Sequence, residues 1–214
     1  MSGYFITFEG GDGVGKTVQI SLLAEYLSYQ GYDVVTTREP GGTPGAEAIR
    51  HILLSGQAQQ YGPLIEAVLF TAARTDHVAE IIAPSLQKGK IVLCDRFIDS
   101  TRVYQGLNET VNSSLLSVLE CIALNGIMPH LTFLLDMPAA CGIKRANLRR
   151  KKTEAIDYFE KDKLEIQEQR RQAFLQLAKQ EPQRFRVIDA SVSVEVVANQ
   201  IKNFCHQILL DQFS

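Results

Sequence analysis

The chain has 214 residues, of which 45% are hydrophobic and 21% are charged, a composition typical of a globular protein with one α/β domain. Its formal net charge of −2 argues against a nucleic-acid partner, so any anionic ligand must be held by local arginines and backbone amides. The sequence contains no C-x-x-C pair, and its histidines are not spaced as metal ligands usually are. It has neither a basic stretch followed by an apolar one, as in a signal peptide, nor an apolar run of the roughly 18 residues that a membrane span needs. We therefore expect reduced thiols, no membrane span and a cytoplasmic protein.

Short apolar runs alternate along the chain with longer amphipathic stretches. The apolar runs predict strands at 4–8, 33–37, 90–95, 131–136 and 186–189. The amphipathic stretches predict helices at 16–31, 100–124, 138–150, 161–180 and 194–210, with Gly31 ending the first of them. Apolar strands joined by helices indicate an α/β fold with a parallel sheet covered on both faces, which we assign as one domain over 1–214. In such sheets, ligands bind at the carboxyl ends of the strands.

The turn after the first predicted strand carries a phosphate-binding motif, G-x-x-x-x-G-K-[ST], which here joins a strand to a helix. Its residues are Gly10, Gly11, Asp12, Gly13, Val14, Gly15, Lys16 and Thr17. Backbone N–H groups and the helix N-terminus would hold a triphosphate, Lys16 would bridge its β- and γ-phosphates, and Thr17 would ligate Mg²⁺. The alternative is a glycine-rich turn that binds nothing. The motif alone does not separate a kinase from a GTPase or a motor ATPase, although no guanine-reading N-K-x-D occurs.

The next two segments predict a pocket for a second ligand. In TTREPGGT (36–43), a proline fixes the chain beside Glu39, and two glycines permit close approach of a ligand. In LFTAARTDH (69–77), Phe70 and Arg74 lie four residues apart and so share one face of a predicted helix. An aromatic ring and a guanidinium placed in this way can stack on a base and bond its carbonyl edge. The alternatives are core packing for Phe70 and a solvated helix face for Arg74.

The strand at 90–95 ends in an acidic and a basic residue. Asp95 occupies the usual position of a carboxylate that supports Mg²⁺ through water, and Arg96 can grip a second phosphoryl group bidentately. The alternative is that Asp95 and Arg96 pair with each other.

A basic segment, defined here as residues 142–162, follows the fourth strand. Its cations are Lys144, Arg145, Arg149, Arg150, Lys151 and Lys152. One interpretation is a solvated basic helix end, because cations suit helix C-termini. The other is a lid that closes over the phosphates, excludes water and supplies arginines to the transferring phosphoryl group.

Together these pieces resemble the thymidylate kinase family of P-loop nucleoside monophosphate kinases, nearly from end to end. REPGGT, FTAARTDH and DRFIDSTRVYQG are the most specific parts of the resemblance. It implies a five-stranded parallel sheet flanked by helices, a helical lid, a homodimer, and Mg²⁺-dependent transfer of the ATP γ-phosphoryl group to dTMP. Other nucleotide kinases and a non-catalytic, regulatory P-loop protein are the rival interpretations.

The resemblance also implies a dTMP site. Its residues would be Asp12, Arg38, Glu39, Pro40, Arg50, Phe70, Arg74, Arg96, Ser100, Thr101, Tyr104 and Gln105. Phe70 would stack on thymine and Arg74 would bond its O4 edge, while Arg96 would hold the phosphate with help from Arg38 or Arg50. Asp12 would meet the sugar 3′-hydroxyl or the metal, and Tyr104 would crowd out a 2′-hydroxyl.

The resemblance further implies an ATP site made of the loop from Gly10 to Thr17, Val18 and Arg145, with the metal at Thr17 and Asp95. The family usually has a serine or threonine hydroxyl at the position of Val18, within reach of the α-phosphate. The catalytic residues would be Asp12, Lys16, Arg96, Arg149 and Arg150. One branch of the family carries an arginine where this loop has Gly13, and another supplies it from the lid. We therefore expect a lid arginine, first Arg149 and then Arg145 or Arg150, at the transferred phosphoryl group.

Overall fold

The computed structural model describes residues 3–107, 112–149 and 163–213, and at 113, 149 and 209–213 it describes the backbone alone. Five parallel strands form one sheet in the order β2-β3-β1-β4-β5. They are β1 (Tyr4–Glu9), β2 (Val34–Arg38), β3 (Ile91–Asp95), β4 (Leu131–Asp136) and β5 (Phe185–Asp189). All six residues of β1 are buried, as expected for the central strand of a sheet covered on both faces.

Helices connect the strands and cover both faces of the sheet. They are α1 (Lys16–Tyr29), α2 (Pro44–Leu54), α3 (Pro63–His77), α4 (Ala83–Gln87), α5 (Ile98–Tyr104), α6 (Ser113–Leu124), α7 (Ala139–Arg149), α8 (Leu164–Gln180) and α9 (Val194–Phe213). A π-helical turn, Val78–Ile82, joins α3 to α4. Within the described residues, no helix is long and apolar enough to cross a membrane.

The core has two sides because successive strand residues face opposite ways. On one side, Ile6 and Phe8 of β1 pack with α1 and α9, through residues such as Leu23 and Ile201. On the other side, Phe5 packs with the π-helical turn, α5 and α6, and β4 and β5 pack with α8 around Phe174. The result is a three-layer α/β sandwich, so the predicted fold class is confirmed.

The predicted strands match the observed ones closely, whereas among the helices α2 and α4 were not predicted and one predicted helix is divided. Each strand lies within about a residue or two of its predicted position, and Gly31 follows α1 with φ 90°. The predicted helix at 100–124 is instead two helices, α5 and α6, because α5 ends at Tyr104 and α6 begins anew after Asn112. The Asn112 side chain accepts a hydrogen bond from the Ser114 N–H at 2.8 Å, which gives α6 its own N-terminal cap.

Candidate active site

A cleft of about 540 Å³ opens at the carboxyl ends of the strands. Its walls come from the phosphate loop, the segment after β2, helix α3 and the segment that runs from the end of β3 through α5. All the residues predicted to contact dTMP line it, from Asp12 of the loop to Gln105 after α5. Two separate sequence predictions, a donor loop and an acceptor pocket, therefore fall in one cavity of nucleotide size.

The phosphate loop connects β1 to α1, and its lysine is turned back onto it. The Lys16 Nζ donates hydrogen bonds to the carbonyls of Gly10 at 3.1 Å and Gly11 at 2.9 Å. Burial, followed by the nearby charge of Arg96, lowers the pKa of Lys16. An anion bound in the loop would raise the pKa of Lys16 again, because it would stabilise the charged ammonium.

Thr17 and Asp95 meet at the mouth of the loop, where the Thr17 hydroxyl donates to Asp95 Oδ2 at 2.8 Å. Hydroxyl and carboxylate oxygens are ligands that suit Mg²⁺, which commonly takes one or two protein ligands and completes its shell with phosphates and water. No cluster of three or more metal-binding side chains occurs in the described parts of the chain. The oxygens present fit a magnesium ion that is shared with a nucleotide.

Arg96 connects the end of β3 to the phosphate loop. Its guanidinium donates to Asp12 Oδ1 at 2.6 Å, to the Gly10 carbonyl at 3.1 Å and to Ser100 Oγ at 3.3 Å. Burial alone would raise the pKa of Asp12, but the charges of Arg96 and Lys16 outweigh it and lower that pKa. Asp95 bonds Thr17 instead, so the alternative in which Asp95 and Arg96 pair with each other is wrong.

Arg74 of α3 is fixed at the other end of the cleft. Its Nε donates to Glu39 Oε2 at 2.7 Å, and its two terminal nitrogens donate to Thr101 Oγ1 at 3.0 Å and to the Phe97 carbonyl at 3.1 Å. Arg74 is only 3% exposed, so the alternative of a solvated helix face is wrong. Each terminal nitrogen carries a second N–H beyond these bonds. Half-buried Phe70 lines the same cleft, one helical turn away.

A comparison of the chain with models of protein families shows which family it belongs to. A family model described as thymidylate kinase matches residues 8–201. The chain belongs to the thymidylate kinase family.

Individual relatives agree with the family model. The chain is 82% identical over 212 residues to a thymidylate kinase of Bartonella quintana (strain Toulouse), covering 99% of each chain. It is 76% identical over 213 residues to a thymidylate kinase of Bartonella henselae, again covering 99% of each. A crystal structure of thymidylate kinase from Ehrlichia chaffeensis superposes with a TM-score of 0.75 at 36% identity and covers 96% of this chain and 99% of that one. The family and the enzyme class, a phosphotransferase, are confirmed.

In this thymidylate kinase family member, two other predicted arginines make local contacts in the cleft wall. A terminal nitrogen of Arg50 donates to the Pro40 carbonyl at 2.6 Å. Arg38 donates to Glu47 at 2.9 Å, and its side chain is 57% exposed. Both arginines line the same cleft as Arg96.

Helix α7 carries the start of the basic segment and packs directly on the phosphate loop. A side chain on Gly13 would place its Cβ 2.1 Å from the Gly142 carbonyl oxygen, and Gly13 has φ 76°. The loop arginine of the other family branch is therefore sterically excluded here while α7 holds this position.

Arg145 of α7 donates to the carbonyls of Ala190 at 2.9 Å and Ser191 at 3.3 Å, in the loop after β5. It therefore joins α7 to the loop that follows β5. Residues 150–162 of the basic segment, Arg150 among them, lie outside the described residues, as does the side chain of Arg149, so the proposed lid arginine stays a prediction.

Three site residues were missed in the sequence. Glu9, at the end of β1, is fully buried and accepts hydrogen bonds from the Phe97 and Ser100 backbones. His77, also fully buried, bridges Glu39 and Thr37, with contacts of 3.0 and 2.7 Å. Arg170 of α8 places its guanidinium carbon 4.3 Å from the centre of the Tyr104 ring. The available signals were an acid at the end of an apolar strand and a histidine one turn after Arg74.

Proposed function

We propose that this chain transfers the γ-phosphoryl group of ATP to dTMP, giving dTDP and ADP. The observation that carries the proposal is the contact between Arg96 and Asp12. It places the cation expected to grip the acceptor phosphate against the loop expected to hold the donor phosphates. Phosphoryl transfer depends chiefly on such alignment and on neutralising charge, so no protein nucleophile is required.

On the acceptor side, we propose that the dTMP phosphate binds Arg96, which is already oriented by Asp12 and Gly10. Thymine stacks on Phe70, and the second N–H groups of Arg74 bond its O4 edge. Glu39 fixes the orientation of the Arg74 guanidinium by accepting from its Nε at 2.7 Å. The remaining acceptor contacts come from Pro40, Arg38, Arg50, Ser100, Thr101 and Gln105, all of which line the cleft.

We propose that Tyr104 limits the sugar end of the pocket, where two guanidiniums lie over its ring. The guanidinium carbon of Arg96 lies 5.4 Å from the ring centre, and that of Arg170 lies 4.3 Å from it. Burial raises the pKa of Tyr104 to about 12, so the phenol stays neutral at physiological pH. A neutral ring clamped in this way supports the proposed exclusion of a 2′-hydroxyl.

On the donor side, we propose that Lys16 exchanges the Gly10 and Gly11 carbonyls for the β- and γ-phosphate oxygens of ATP. Val14, Gly15 and Val18 would contribute backbone N–H groups from the loop and the start of α1. Thr17 and Asp95 would hold Mg²⁺, which supplies charge neutralisation on the phosphates. Arg145 would face the nucleotide end, and Arg149 or Arg150 the transferred phosphoryl group.

An acceptor panel tests the proposal. ADP release coupled to a reporter enzyme should depend on dTMP and be much slower with UMP, dCMP or thymidine. Arg96→Ala and Lys16→Ala should each remove most of the activity, with a loss of about 100-fold or more. Arg186→Ala is the matched control, because Arg186 lies outside the cleft lining and donates to the nearby carbonyls of Pro182, Gln183 and Phe185. Near-normal turnover by Arg96→Ala would contradict the assignment of the site.

We also propose that the chain forms a homodimer through α3 and α6, which pack side by side. Together they expose a set of apolar side chains between 37% and 57%: Leu64, Ile65, Val68, Leu115, Val118 and Ile122. Contiguous exposed apolar side chains of this kind mark interaction surfaces.

We also propose that the protein is cytoplasmic. Two of its four free cysteines, Cys121 and Cys141, are exposed, which suits a reducing compartment.

A further inference from the structure

The backbone of Arg96 is strained and yet tightly held. Its φ is 67°, in the left-handed region that residues with a side chain adopt only when their surroundings impose it. The Arg96 N–H donates to the Phe8 carbonyl at 2.9 Å, and the Cys94 thiol donates to the Arg96 carbonyl at 3.0 Å. The residues that follow must be held as well, because they set the direction in which the chain leaves this turn.

Glu9 supplies that restraint from the neighbouring strand. Its Oε1 accepts from the Phe97 N–H at 2.8 Å and from the Ser100 N–H at 3.2 Å, and its Oε2 accepts from the Ser100 hydroxyl at 2.7 Å. Glu9 is 0% exposed and lies on the side of β1 that faces α5. One carboxylate therefore clamps the first turn of α5 immediately after Arg96.

The same carboxylate also adjoins the donor side of the cleft. The phosphate loop begins at Gly10, whose carbonyl accepts bonds from both Lys16 and Arg96. Charged or titratable groups that face Glu9 are Asp99 and Tyr104 of α5, Arg96, Lys16 of α1 and Cys94 of β3. Arg96 and Lys16 thus adjoin an acid that no solvent reaches, and the hydrogen bonds that its two oxygens accept from Phe97 and Ser100 are more than core packing requires.

We propose that Glu9 is a positioning residue for phosphoryl transfer: it holds Arg96 and Ser100 in the orientation that receives the acceptor phosphate. The role rests on the proposed dTMP phosphorylation. It acts through Arg96 rather than by touching the substrate, because both Glu9 oxygens are occupied by Phe97 and Ser100.

Glu9→Gln tests this role with little change of shape. Glutamine keeps one acceptor oxygen for the two backbone N–H groups, but its amide nitrogen cannot accept from the Ser100 hydroxyl. At about pH 8, above the pKa of about 7 that burial gives Glu9, the substitution also removes the negative charge beside Arg96. The matched control is Thr7→Val, two residues earlier on the same face of β1. It removes another buried hydrogen bond, that between the Thr7 and Thr132 hydroxyls at 2.8 Å.

Steady-state kinetics and dTMP titration calorimetry give the readouts. For Glu9→Gln, we expect kcat/KM for dTMP to fall about tenfold and dTMP binding to weaken, with the KM for ATP changed less than about twofold. Glu9→Ala should lose more than Glu9→Gln. Thr7→Val should lower the melting temperature but change both nucleotide parameters less than about twofold.

Two results would overturn the role of Glu9. One is a Glu9→Gln variant whose dTMP kinetics match those of Thr7→Val, and the other is an equal loss for ATP and dTMP. Both leave the proposed function standing, because the unsubstituted protein still turns over dTMP. An unsubstituted protein without dTMP-dependent ADP release would instead overturn the proposed function, and the role of Glu9 with it.

Discussion

At the scale of single residues, the site depends on side chains that are held before any substrate arrives. Arg74 is fixed by three hydrogen bonds and Arg96 by its contacts to Asp12, Gly10 and Ser100. Such preorganisation lowers the cost of aligning dTMP, because the rotamer entropy of the two arginines is already spent.

Val18 offers a residue-scale test on the ATP side. Val18→Thr restores a hydroxyl within reach of the α-phosphate, and Val18 is 48% exposed, so the change does not disturb the core. We expect ATP to bind more tightly by about 1 kcal/mol, or about fivefold, as for one neutral hydrogen bond. Titration calorimetry measures this, with Val196→Thr on α9, 45% exposed, as the control. Unchanged ATP affinity would mean that another group already contacts the α-phosphate.

Glu9 gives a second residue-scale test, through pH. Burial and the charge of Asp99, partly offset by Arg96, raise the pKa of Glu9 from 4.5 to about 7. The folded protein therefore holds this proton more tightly than the unfolded chain. The contribution of Glu9 to stability is complete below pH 4.5 and is lost as the pH rises through about 7.

Glu9→Gln cannot ionise, so its melting temperature should improve relative to the unsubstituted protein as the pH rises from 4.5 to about 7, the two pKa values of Glu9. Thermal melts across this range measure the difference, and the difference for Thr7→Val should stay constant. Parallel curves for Glu9→Gln and the unsubstituted protein would show that the pKa of Glu9 is not raised.

The residues foreseen in the sequence are those that belong to a motif with a fixed spacing. Lys16, Thr17 and Arg74 are of this kind, and all line the cleft. Glu9 and His77 escaped because a side chain that acts through a partner leaves no spacing pattern. The partners of Glu9 lie 88 and 91 residues away, a distance that only the pairing of β1 with β3 closes.

At the scale of elements, the contact between α7 and the phosphate loop joins the donor site to the basic segment. Gly142 and Gly13 face each other, and a Cβ on Gly142 would lie 2.6 Å from the Asp12 carbonyl oxygen. Two glycines therefore permit a backbone approach that no other residue pair allows.

Gly13→Ala should disrupt this approach. The new Cβ would meet the Gly142 carbonyl at 2.1 Å and the Ala146 nitrogen at 2.9 Å, at a φ of 76°. We expect the free energy of unfolding to fall by roughly 2–4 kcal/mol, measured by urea denaturation. Gly11→Ala is the stability control, since its Cβ would meet only Val14 at 3.9 Å. Equal stability of the two variants would contradict the close packing of α7 on the loop.

The elements themselves were largely predictable, because buried parallel strands are apolar throughout and end at polar site residues. The division between α5 and α6 was missed because no proline interrupts 100–124, although Gly106 after α5 and the capping residue Asn112 before α6 are sequence signals for it. Arg102 of α5 also forms a salt bridge at 2.9 Å with Glu181, which directly follows α8.

At the scale of the whole molecule, the apolar face on α3 and α6 predicts a dimer. Val118→Glu, at a side chain 55% exposed, should convert the dimer to a monomer, because a charge buried in an interface has no partner there. Light scattering with size-exclusion chromatography measures the mass. Val196→Glu, at a side chain 45% exposed on α9, is the control and should remain dimeric. A monomeric unsubstituted protein would contradict the proposal, and so would a dimeric Val118→Glu variant.

In the proposed reaction, the donor and acceptor phosphates bind in one cleft, and the phosphoryl group passes directly from one to the other. Incubation with γ-labelled ATP and dTMP, followed by separation of the products, tests this most directly. We expect the label in the β-phosphoryl group of dTDP, in equal amount to the ADP formed, and none on the protein. Label in inorganic phosphate or on a side chain, without dTDP, would contradict direct phosphoryl transfer to dTMP.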